Sequence, residues 1–543
     1  MLAPPRTEVP VTDKWIAILA GIAALGGCAT ASAEDPRAAP VPIATVTAPA
    51  VLDMGPVAAT RAAIARIERI DPQLGSVIAI DPTAVDQATR IEAQGLRGPL
   101  AGTPVLIKDN IEVAGPLPTT AGSLALVNNV TNRDAPLVAR LRAAGAVIVG
   151  KANLSEWANI RSSDSISGWS AIGGQTRNPH ALDRNPCGSS SGSAAAVAAG
   201  LVTMAVGTET DGSITCPAAI NGIVGMKPTV GLVSRTHVIP ISASQDTPGP
   251  MAASVRDAAL LLAAIAGSDP ADPATREADQ HKADYAAALH VGPRASDALR
   301  GARIGVMRFA SGFGTDEPFE RALATLRAQG AVLVEIKEFD RGPIGSHEFK
   351  VLLTEFKAGL NDYLRSSPAP IPVRSLADVI AFNQANMALE MPLFGQDIFI
   401  QAEATKGLSD PAYKQARATS LRLAGAQGVD RLLKLHKLDV LVGPTMPPAW
   451  KIDAVNGDQI SGGGAGRLAA VAGYPHLTVP MGLVKGLPVG LSFIGPKWSD
   501  ARMLRLGHAY EQARGGLPAP RFLRSIEESP RIAPHLQPAQ ARR

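Results

Sequence analysis

Two serine-containing turns lie close together in the stretch 185–217. The first turn, at 188–192, reads Gly-Ser-Ser-Ser-Gly, and the second, at 207–213, reads Gly-Thr-Glu-Thr-Asp-Gly-Ser. Between them lie an alanine-rich segment at 193–200, which has good helix propensity, and a short apolar run at 202–206. A glycine-rich turn can direct successive backbone N–H groups at one developing negative charge. The arrangement therefore suits a serine nucleophile with a second serine beside it as a proton relay.

Two other interpretations of the first turn need consideration. Serine and glycine before an alanine-rich segment often form a helix cap, for which Ser191 or Ser193 would serve. The pattern Gly188-x-Ser190-x-Gly192 also satisfies the nucleophile-elbow motif. That elbow requires a buried strand directly before it, whereas the preceding residues are polar and interrupted by proline. We therefore reject the elbow.

The stretch resembles the signature of the amidase signature family, which reads approximately G-G-S-S-G-G-S, a small-residue helix, then G-T-D-x-G-G-S-I-R-x-P. Mapped residue by residue, the two catalytic serines of that family fall on Ser189 and Ser213, with the family's spacing. A third block, Gly102-Thr-Pro-Val-Leu-Ile-Lys-Asp-Asn110, matches the family's G-x-P-x-x-x-K-D-N and places the family's lysine at Lys108. Three blocks in the correct order make this a specific signal.

The resemblance implies a Ser–Ser–Lys triad that hydrolyses amides through an acyl-enzyme and requires neither a metal nor a cofactor. Ser213 would attack the carbonyl carbon, because a serine becomes a competent nucleophile only beside a base. Ser189, which follows a cis peptide bond in the family, would pass the proton to Lys108. The oxyanion hole would consist of main-chain N–H groups in the second turn, at Thr210, Asp211, Gly212 and Ser213.

This chemistry requires Lys108 in its neutral form, although a free lysine titrates near ~10.4. Burial without a carboxylate partner lowers the pKa of a lysine. Asp109 is adjacent in sequence, but neighbouring residues on a strand point to opposite faces. We therefore expect that Asp109 does not hold Lys108 in its charged form.

Departures from the family pattern favour one branch of it. Asp211 occupies a position that is commonly glycine, and Thr215 replaces the usual arginine after the nucleophile. These changes, with Ser167-Gly-Trp-Ser170 and the segment 353–363, resemble the branch of bacterial peptide amidases. The resemblance implies hydrolysis of C-terminal peptide amides to the acid and ammonia. The missing arginine predicts a site with no cation and argues against a substrate carboxylate at that spot.

Two other functions remain open. The chain resembles, in its triad, the catalytic subunit of a tRNA-dependent amidotransferase, and an exported non-catalytic amide-binding protein is the second alternative. With 52 basic and 48 acidic residues and no long basic run, the sequence gives no indication of a nucleic-acid partner or an acidic membrane surface. We expect a monomer that acts on a peptide or small amide.

The N-terminus indicates export to the periplasm or cell envelope. Lys14 precedes an apolar run at 15–25, which is too short to span a bilayer and is typical of a secretory signal. Cleavage after Ala33 and lipidation at Cys28, in a lipobox-like Leu-Gly-Gly-Cys, are both open. Without the signal two cysteines remain, Cys187 and Cys216, which flank the catalytic turns as a disulfide or as two buried thiols.

The predicted organisation is a signal at 1–33, an extended lead-in at 34–56, an amidase signature domain at 57–515 and a tail at 516–543. Alternating strand and helix patterns indicate an α/β fold, and the resemblance implies one mixed sheet with helices on both faces. The pattern predicts strands at 77–80, 105–107, 146–149, 202–206, 303–307 and 332–336, and helices at 85–94, 135–144, 193–200, 255–266, 319–328 and within 345–430.

Overall fold

The computed structural model describes residues 54–95, 97–289 and 295–537. The predicted signal and nearly all of the predicted lead-in lie outside these residues, as does Cys28. Export and lipidation therefore stay predictions. Within the described ranges, no helix combines the length and apolar character that crossing a membrane requires.

An eleven-stranded mixed sheet crosses the described part of the chain, with a two-stranded ribbon, β4–β5, beside it. The order in the large sheet is β1-β3-β2-β6-β8-β7-β12-β13-β11-β9-β10. The strands are β1 Val77–Ile80, β2 Pro104–Lys108, β3 Val147–Ala152, β4 Trp169–Ser170, β5 Gly174–Gln175, β6 Met204–Glu209, β7 Val224–Lys227, β8 Thr247–Ala252, β9 Arg303–Met307, β10 Val332–Ile336, β11 Val440–Pro444, β12 His476–Val484 and β13 Leu487–Ile494.

Helices cover this sheet, which confirms the predicted α/β fold. On β11, Val440 and Val442 join one hydrophobic cluster while Leu441 joins another, because successive strand residues face opposite sides. The helices are α1 Pro56–Ile70, α2 Ala84–Ala93, α3 Pro136–Ala143, α4 Ser191–Ala198, α5 Thr215–Asn221, α6 Val255–Ile265, α7 Ala278–His281, α8 Asp316–Ala328, α9 Ile344–Ser366, α10 Leu376–Ala385, α11 Met387–Glu390, α12 Asp397–Glu403, α13 Pro411–Ala424, α14 Asp430–His436, α15 Gly466–Ala472, α16 Asp500–Arg514 and α17 Ala533–Leu536.

The strands that flank the candidate site are close to their predicted positions. Strand β2 extends one residue beyond the prediction at each end and includes Lys108. Strand β6 begins and ends later than the predicted 202–206. Helix α5 was not predicted, since its sequence Thr-Cys-Pro-Ala-Ala-Ile-Asn has no helical periodicity of apolar residues. It begins where Glu209 accepts hydrogen bonds from the main-chain N–H groups of Ile214 and Thr215, both at 2.8 Å.

Small side chains allow helix α4 to lie against the sheet. Its sequence is Ser-Gly-Ser-Ala-Ala-Ala-Val-Ala, and the first seven of these residues are buried. At Gly192 the backbone passes so close to its neighbours that a Cβ atom would lie 2.2 Å from Ser76 O and 2.5 Å from Asn153 O. This glycine therefore sets the distance between α4, which follows the first serine turn, and the segments around β1 and β3.

The predicted helical region 345–430 forms a separate layer that packs on the loops near the candidate site. Phe356 and Leu360 on α9 and Phe399 on α12 form a hydrophobic cluster with Trp157. The ring of Phe399 stacks on Phe356 at a centroid distance of 5.2 Å and meets Trp157 edge-on at 5.9 Å. Helix α9 is thereby fixed with one end beside the second serine turn.

We predict that Gly192→Ala destabilises the protein by roughly 1–3 kcal/mol, the usual effect of overpacking, because the contacted atoms belong to the backbone. The measurement is the free energy of unfolding in denaturant. Gly395→Ala is the matched control, since no atom lies within 4 Å of the added Cβ and its φ is not positive. Equal stability of Gly192→Ala and the control would contradict the packing argument.

Candidate active site

The candidate site forms where two neighbouring parallel strands end. Strands β2 and β6 pair in parallel, with Ile107 opposite Val206, so their carboxyl ends lie at the same edge of the sheet. Lys108 is the last residue of β2, and Thr208 lies close to the end of β6. The second serine turn follows β6 directly.

Lys108 is fully buried and makes its hydrogen bonds within this edge. Its Nζ lies 2.8 Å from Ser189 Oγ, 2.9 Å from Thr208 Oγ1 and 3.3 Å from Thr208 O. Asn110 Nδ2 also donates to Thr208 Oγ1, at 3.0 Å. The amine therefore has three oxygen partners and no carboxylate in direct contact.

Burial lowers the pKa of Lys108 to about 7, although the carboxylates of Asp246 and Glu209 act in the opposite direction. The neutral amine is consequently available near neutral pH, because desolvation disfavours the charged form. Asp109 forms an ion pair with Lys151 instead, at 2.9 Å. Its side chain is thus engaged elsewhere, as the alternation of strand residues led us to expect.

The first serine turn is held by hydrogen bonds along its length. The peptide bond between Gly188 and Ser189 is cis, as the family resemblance implies. Ser190 Oγ donates to Thr208 O at 3.1 Å, and Ser191 Oγ donates to Cys187 O at 2.7 Å. Ser191 and Ser193, the candidate helix caps, lie inside α4, where Ser193 Oγ donates to Val206 O at 3.2 Å, and Ser190, the residue before α4, makes no side-chain capping bond.

The second turn presents main-chain N–H groups without partners. Among the hydrogen bonds of the described residues, none is donated by the main-chain N–H groups at 210–213. Gly212 has φ +86°, a conformation that glycine adopts without strain. Glu209 closes the turn from inside the protein by accepting the N–H groups of Ile214 and Thr215. A closed turn with free donors can stabilise a developing oxyanion.

The two turns meet at the wall of one cavity of about 570 Å³. The N–H group of Ser190 donates to the carbonyl oxygen of Ser213 at 3.1 Å, which places the turns side by side. Ser213 and the three residues before it line the cavity, together with Gly188 and residues from the loop 445–467. The structure thus brings Lys108 and Ser189 into contact and places Ser213 at the adjoining surface. Their catalytic roles stay a prediction.

A disulfide bond joins Cys187 to Cys216 and decides between the two alternatives left open by the sequence. One cysteine lies just before the first turn and the other lies in α5, just after the second. Both line the cavity and are about 5% exposed. The bond therefore ties the two turns to each other. Disulfides persist in oxidising compartments, which the predicted export would provide.

Residues outside the second serine turn, which the sequence did not identify as functional, hold this turn in place by hydrogen bonds. Thr210 Oγ1 donates to Asp246 Oδ1 at 2.5 Å, and Gln245 Nε2 donates to Thr210 O at 3.3 Å. Burial raises the pKa of Asp246 to about 6, while its hydrogen bonds lower it. The segment at 244–251, Ser-Gln-Asp-Thr-Pro-Gly-Pro-Met, also matches the family in sequence, and this match was the signal available for Gln245 and Asp246. Glu348 accepts from Gln245 at 2.9 Å and had no such signal.

Two arginine residues lie at the cavity beside Ser213, where the sequence predicted no cation. The sequence predicted no cation at the position where the family has arginine, but Arg467 and Arg341 both line the cavity. The Nε atom of Arg467 lies 3.2 Å from Asp211 Oδ2 and 3.0 Å from Glu348 Oε2. The expectation of a cavity without a cation was therefore wrong, because Arg467 reaches it from α15, far away in sequence.

The chain is similar in sequence and in fold to known amidases. The family described as Amidase matches residues 58–504. A probable amidase of Arabidopsis thaliana is 39% identical over 472 residues, covering 84% of this chain and 86% of the relative. A glutamyl-tRNA(Gln) amidotransferase subunit of Pseudomonas aeruginosa is 36% identical and covers 83% and 93%. The solved peptide amidase of Stenotrophomonas maltophilia is 50% identical, covers 86% and 96%, and has a TM-score of 0.81.

We predict that Lys108→Met stabilises the protein relative to wild type most strongly below pH 7. The folded-state pKa of Lys108, about 7, lies below its ordinary value of 10.5, so folding opposes protonation. This penalty is complete below the folded pKa and disappears as the pH rises to the unfolded pKa. The stability difference should therefore decrease between pH 7 and 9.5 by at most about 1.4 kcal/mol per pH unit.

The measurement is denaturant unfolding of both proteins across that pH range. Methionine also loses the hydrogen bonds of the amine. This loss changes the stability difference by the same amount at every pH and does not change its slope against pH. Ile107→Val, on the same strand, is the control, since it should cost about 1 kcal/mol at every pH. A pH-independent difference for Lys108→Met would show that burial does not perturb this lysine.

Proposed function

Because this chain belongs to the amidase signature family and hydrolyses amides, we propose that its substrates are C-terminal carboxamides of short peptides. The observation that carries the proposal is the contact of Lys108 Nζ with Ser189 Oγ at the cavity that Ser213 lines. A solved relative at 50% identity is a peptide amidase. The cavity, at about 570 Å³, is large enough for a short peptide.

In the proposed mechanism, Ser213 Oγ attacks the carboxamide carbon and gives its proton to Ser189. Ser189 passes its own proton to the neutral amine of Lys108, at the observed 2.8 Å. The free N–H groups of the second turn receive the negative charge on the carbonyl oxygen. A single donor of this kind typically contributes about 3 kcal/mol to lowering the barrier.

Collapse of the tetrahedral intermediate breaks the C–N bond. The proton held by Lys108 returns through Ser189 to the leaving nitrogen, so that ammonia departs and an ester on Ser213 remains. Water then attacks this ester, with the same lysine and serine accepting its proton, and releases the acid. Because the base must be neutral, activity should rise as the pH passes about 7, the pKa of Lys108.

Charge next to the nucleophile supports a carboxamide substrate. Asp211 lies two residues before Ser213 and lines the cavity. The guanidinium of Arg467, which contacts Asp211, also contacts Glu348, so it is not free to bind a substrate carboxylate. An acid product at Ser213 therefore meets the carboxylate of Asp211 and a guanidinium that is already paired, and desolvation disfavours an unpaired anion. Arg341, the other arginine that lines the cavity, donates a hydrogen bond to Phe309 O at 2.9 Å.

We predict unequal losses within the triad. Ser213→Ala should abolish acyl-enzyme formation because the nucleophile is absent. Lys108→Ala should be nearly as severe because no base remains. Ser189→Ala should retain more activity, since a water molecule can occupy the place of a relay hydroxyl. The measurement is single-turnover release of ammonia from a peptide amide, with folding verified by circular dichroism.

Thr83→Ala provides a control far from the cavity, because its hydroxyl bonds Asp81 beside α2 and should leave turnover unchanged. Near-normal turnover by Ser213→Ala would overturn the nucleophile assignment. Equal losses in all three triad variants would show that Ser189 cannot be replaced by water.

We further predict that dipeptide amides are hydrolysed, while the matching free acids are neither cleaved internally nor strong inhibitors. The acid differs from the amide by one negative charge at the group that faces Asp211. Comparison of the KM of an amide with the Ki of its acid tests this directly. Simple amides and asparagine complete the substrate panel.

Tight inhibition by the acid would refute the peptide-amide assignment, as would faster turnover of carboxylate-bearing amides. The relative from Pseudomonas aeruginosa defines a separate outcome. If ammonia is released only when partner subunits and a charged tRNA are supplied, the chain is the catalytic subunit of an amidotransferase. If purified protein hydrolyses peptide amides alone, that alternative is excluded.

A further inference from the structure

Two acidic side chains and one arginine meet beside the second serine turn. Asp211 comes from the turn itself, Glu348 from the first turns of α9, and Arg467 from the start of α15. The Nε of Arg467 lies 3.2 Å from Asp211 Oδ2 and 3.0 Å from Glu348 Oε2. The same guanidinium therefore brings the two carboxyl groups close together. We call Asp211 and Glu348 the acid pair.

The two members of the acid pair differ in exposure. The Glu348 side chain is 4% exposed and that of Asp211 is 24% exposed. The other Glu348 oxygen accepts a hydrogen bond from Gln245 Nε2 at 2.9 Å. The carboxyl group of Glu348 therefore lies beside one amide, one guanidinium and the carboxyl group of Asp211. The charged groups further from Glu348 that interact with Asp211 are the buried Glu209 and the buried Lys227, whose pKa burial lowers to about 8.

Charge balance sets the state of the acid pair. With both carboxyl groups ionised, a single guanidinium would leave one net negative charge in contact with the buried Glu348. With one proton on the pair, the cluster is neutral and the two carboxyl groups can share a hydrogen bond. Burial, and then the proximity of Asp211, raise the pKa of Glu348 to about 8. This direction agrees with the geometry.

The position of the acid pair connects this charge to catalysis. Asp211 belongs to the run of residues at 210–213, which lines the cavity and whose main-chain N–H groups donate none of the hydrogen bonds of the described residues. An uncompensated negative charge there would oppose the negative charge on the substrate oxygen in the transition state. It would also repel Asp211 from Glu348 and disturb the turn that carries Ser213.

We propose that Glu348 is a positioning residue that supports amide hydrolysis only while it carries a proton, with which it holds Asp211 and Arg467 beside the oxyanion-binding turn. The proposal rests on the proposed function. Glu348 does not touch the reacting atoms, and it acts through Asp211 and through Gln245, whose side chain donates to Thr210 O.

The proposal predicts a narrow, bell-shaped dependence of kcat/KM on pH, since this parameter reports the pKa values of the free enzyme. The acidic limb reports the neutral fraction of Lys108, with a pKa of about 7, and the alkaline limb reports the protonated fraction of Glu348, with a pKa of about 8. Well above pH 8, kcat/KM should fall about tenfold per pH unit.

Glu348→Gln is the principal test. Glutamine keeps the shape and an N–H donor toward Asp211 but cannot ionise. We expect this variant to retain most of the wild-type kcat/KM at pH 7.5 and to lose the alkaline fall, so that kcat/KM stays level up to pH 9.5. If the variant keeps the wild-type alkaline limb, another group, such as Lys227, causes the fall and the proposal is overturned.

Glu355→Gln is the matched control on the same helix. Glu355 lies two turns further along α9 and accepts hydrogen bonds from Ser242 and Ser244 in the segment before Asp246. The Glu355→Gln variant therefore tests whether the loss of any carboxylate from α9 removes the alkaline limb. We expect the alkaline limb of Glu355→Gln to stay at the wild-type position, whatever the change in kcat/KM. If both variants lose the limb, the role of Glu348 is structural only and the proposal fails.

Arg467→Gln tests the other partner and does not depend on the folding of Glu348→Gln. Arg467 is 57% exposed, so its loss leaves the core intact. Without the guanidinium the acid pair holds its proton more tightly, and the alkaline limb should move to higher pH. A limb that moves to lower pH, or does not move, would contradict the charge balance proposed for the cluster.

A substrate-independent readout separates this proposal from the proposed function. The rate at which phenylmethylsulfonyl fluoride modifies Ser213 is measured against pH in wild type, Glu348→Gln and Glu355→Gln. If no peptide amide is hydrolysed but the modification shows an alkaline fall that only Glu348→Gln removes, the proposed substrate is wrong and the role of Glu348 stands. An identical fall in all three proteins overturns the role of Glu348 whatever the substrate.

Discussion

The fold meets one demanding constraint, the burial of the amine of Lys108 without a carboxylate in contact. Removing an ammonium group from water is costly unless it is paired or loses its proton. The pairing of β2 with β6 supplies Thr208, and the first serine turn supplies Ser189, so three oxygen contacts satisfy the amine. Strand register and turn conformation together create a lysine that is neutral near physiological pH.

Carboxylates close to the lysine are occupied with the main chain. Asp246 accepts the N–H groups of Ile241 and Ser242, each at 2.8 Å, and Glu209 accepts those of Ile214 and Thr215. Asp246 thereby fixes the loop at 241–242 and Glu209 fixes the start of helix α5, since charge-assisted hydrogen bonds are stronger than neutral ones. The same groups act on Lys108 only through space. This separation keeps the turns ordered without giving the lysine a direct counter-ion.

Local signals in the sequence predicted the strand that ends at Lys108, the helix α4 and the two turns, because apolar periodicity and turn residues act over a few positions. Helix α5 was missed, since a side chain outside it, Glu209, supports its start. The bond between Cys187 and Cys216 stayed open because pairing depends on distance in the fold. The family resemblance supplied the role of Lys108, whose burial no local pattern could indicate.

The charge around the nucleophile shows why single substitutions are poor guides to a site. Thr215 in place of the family's arginine suggested a cavity without a cation, and Asp211 suggested an added negative charge. In the structure Arg467 contacts both Asp211 and Glu348. The three residues come from a loop and two helices that are distant in sequence. The positive charge that is missing at Thr215 is therefore supplied by Arg467 from another helix. The net charge of Asp211, Glu348 and Arg467 together, and not one substitution, determines which groups the cavity can bind.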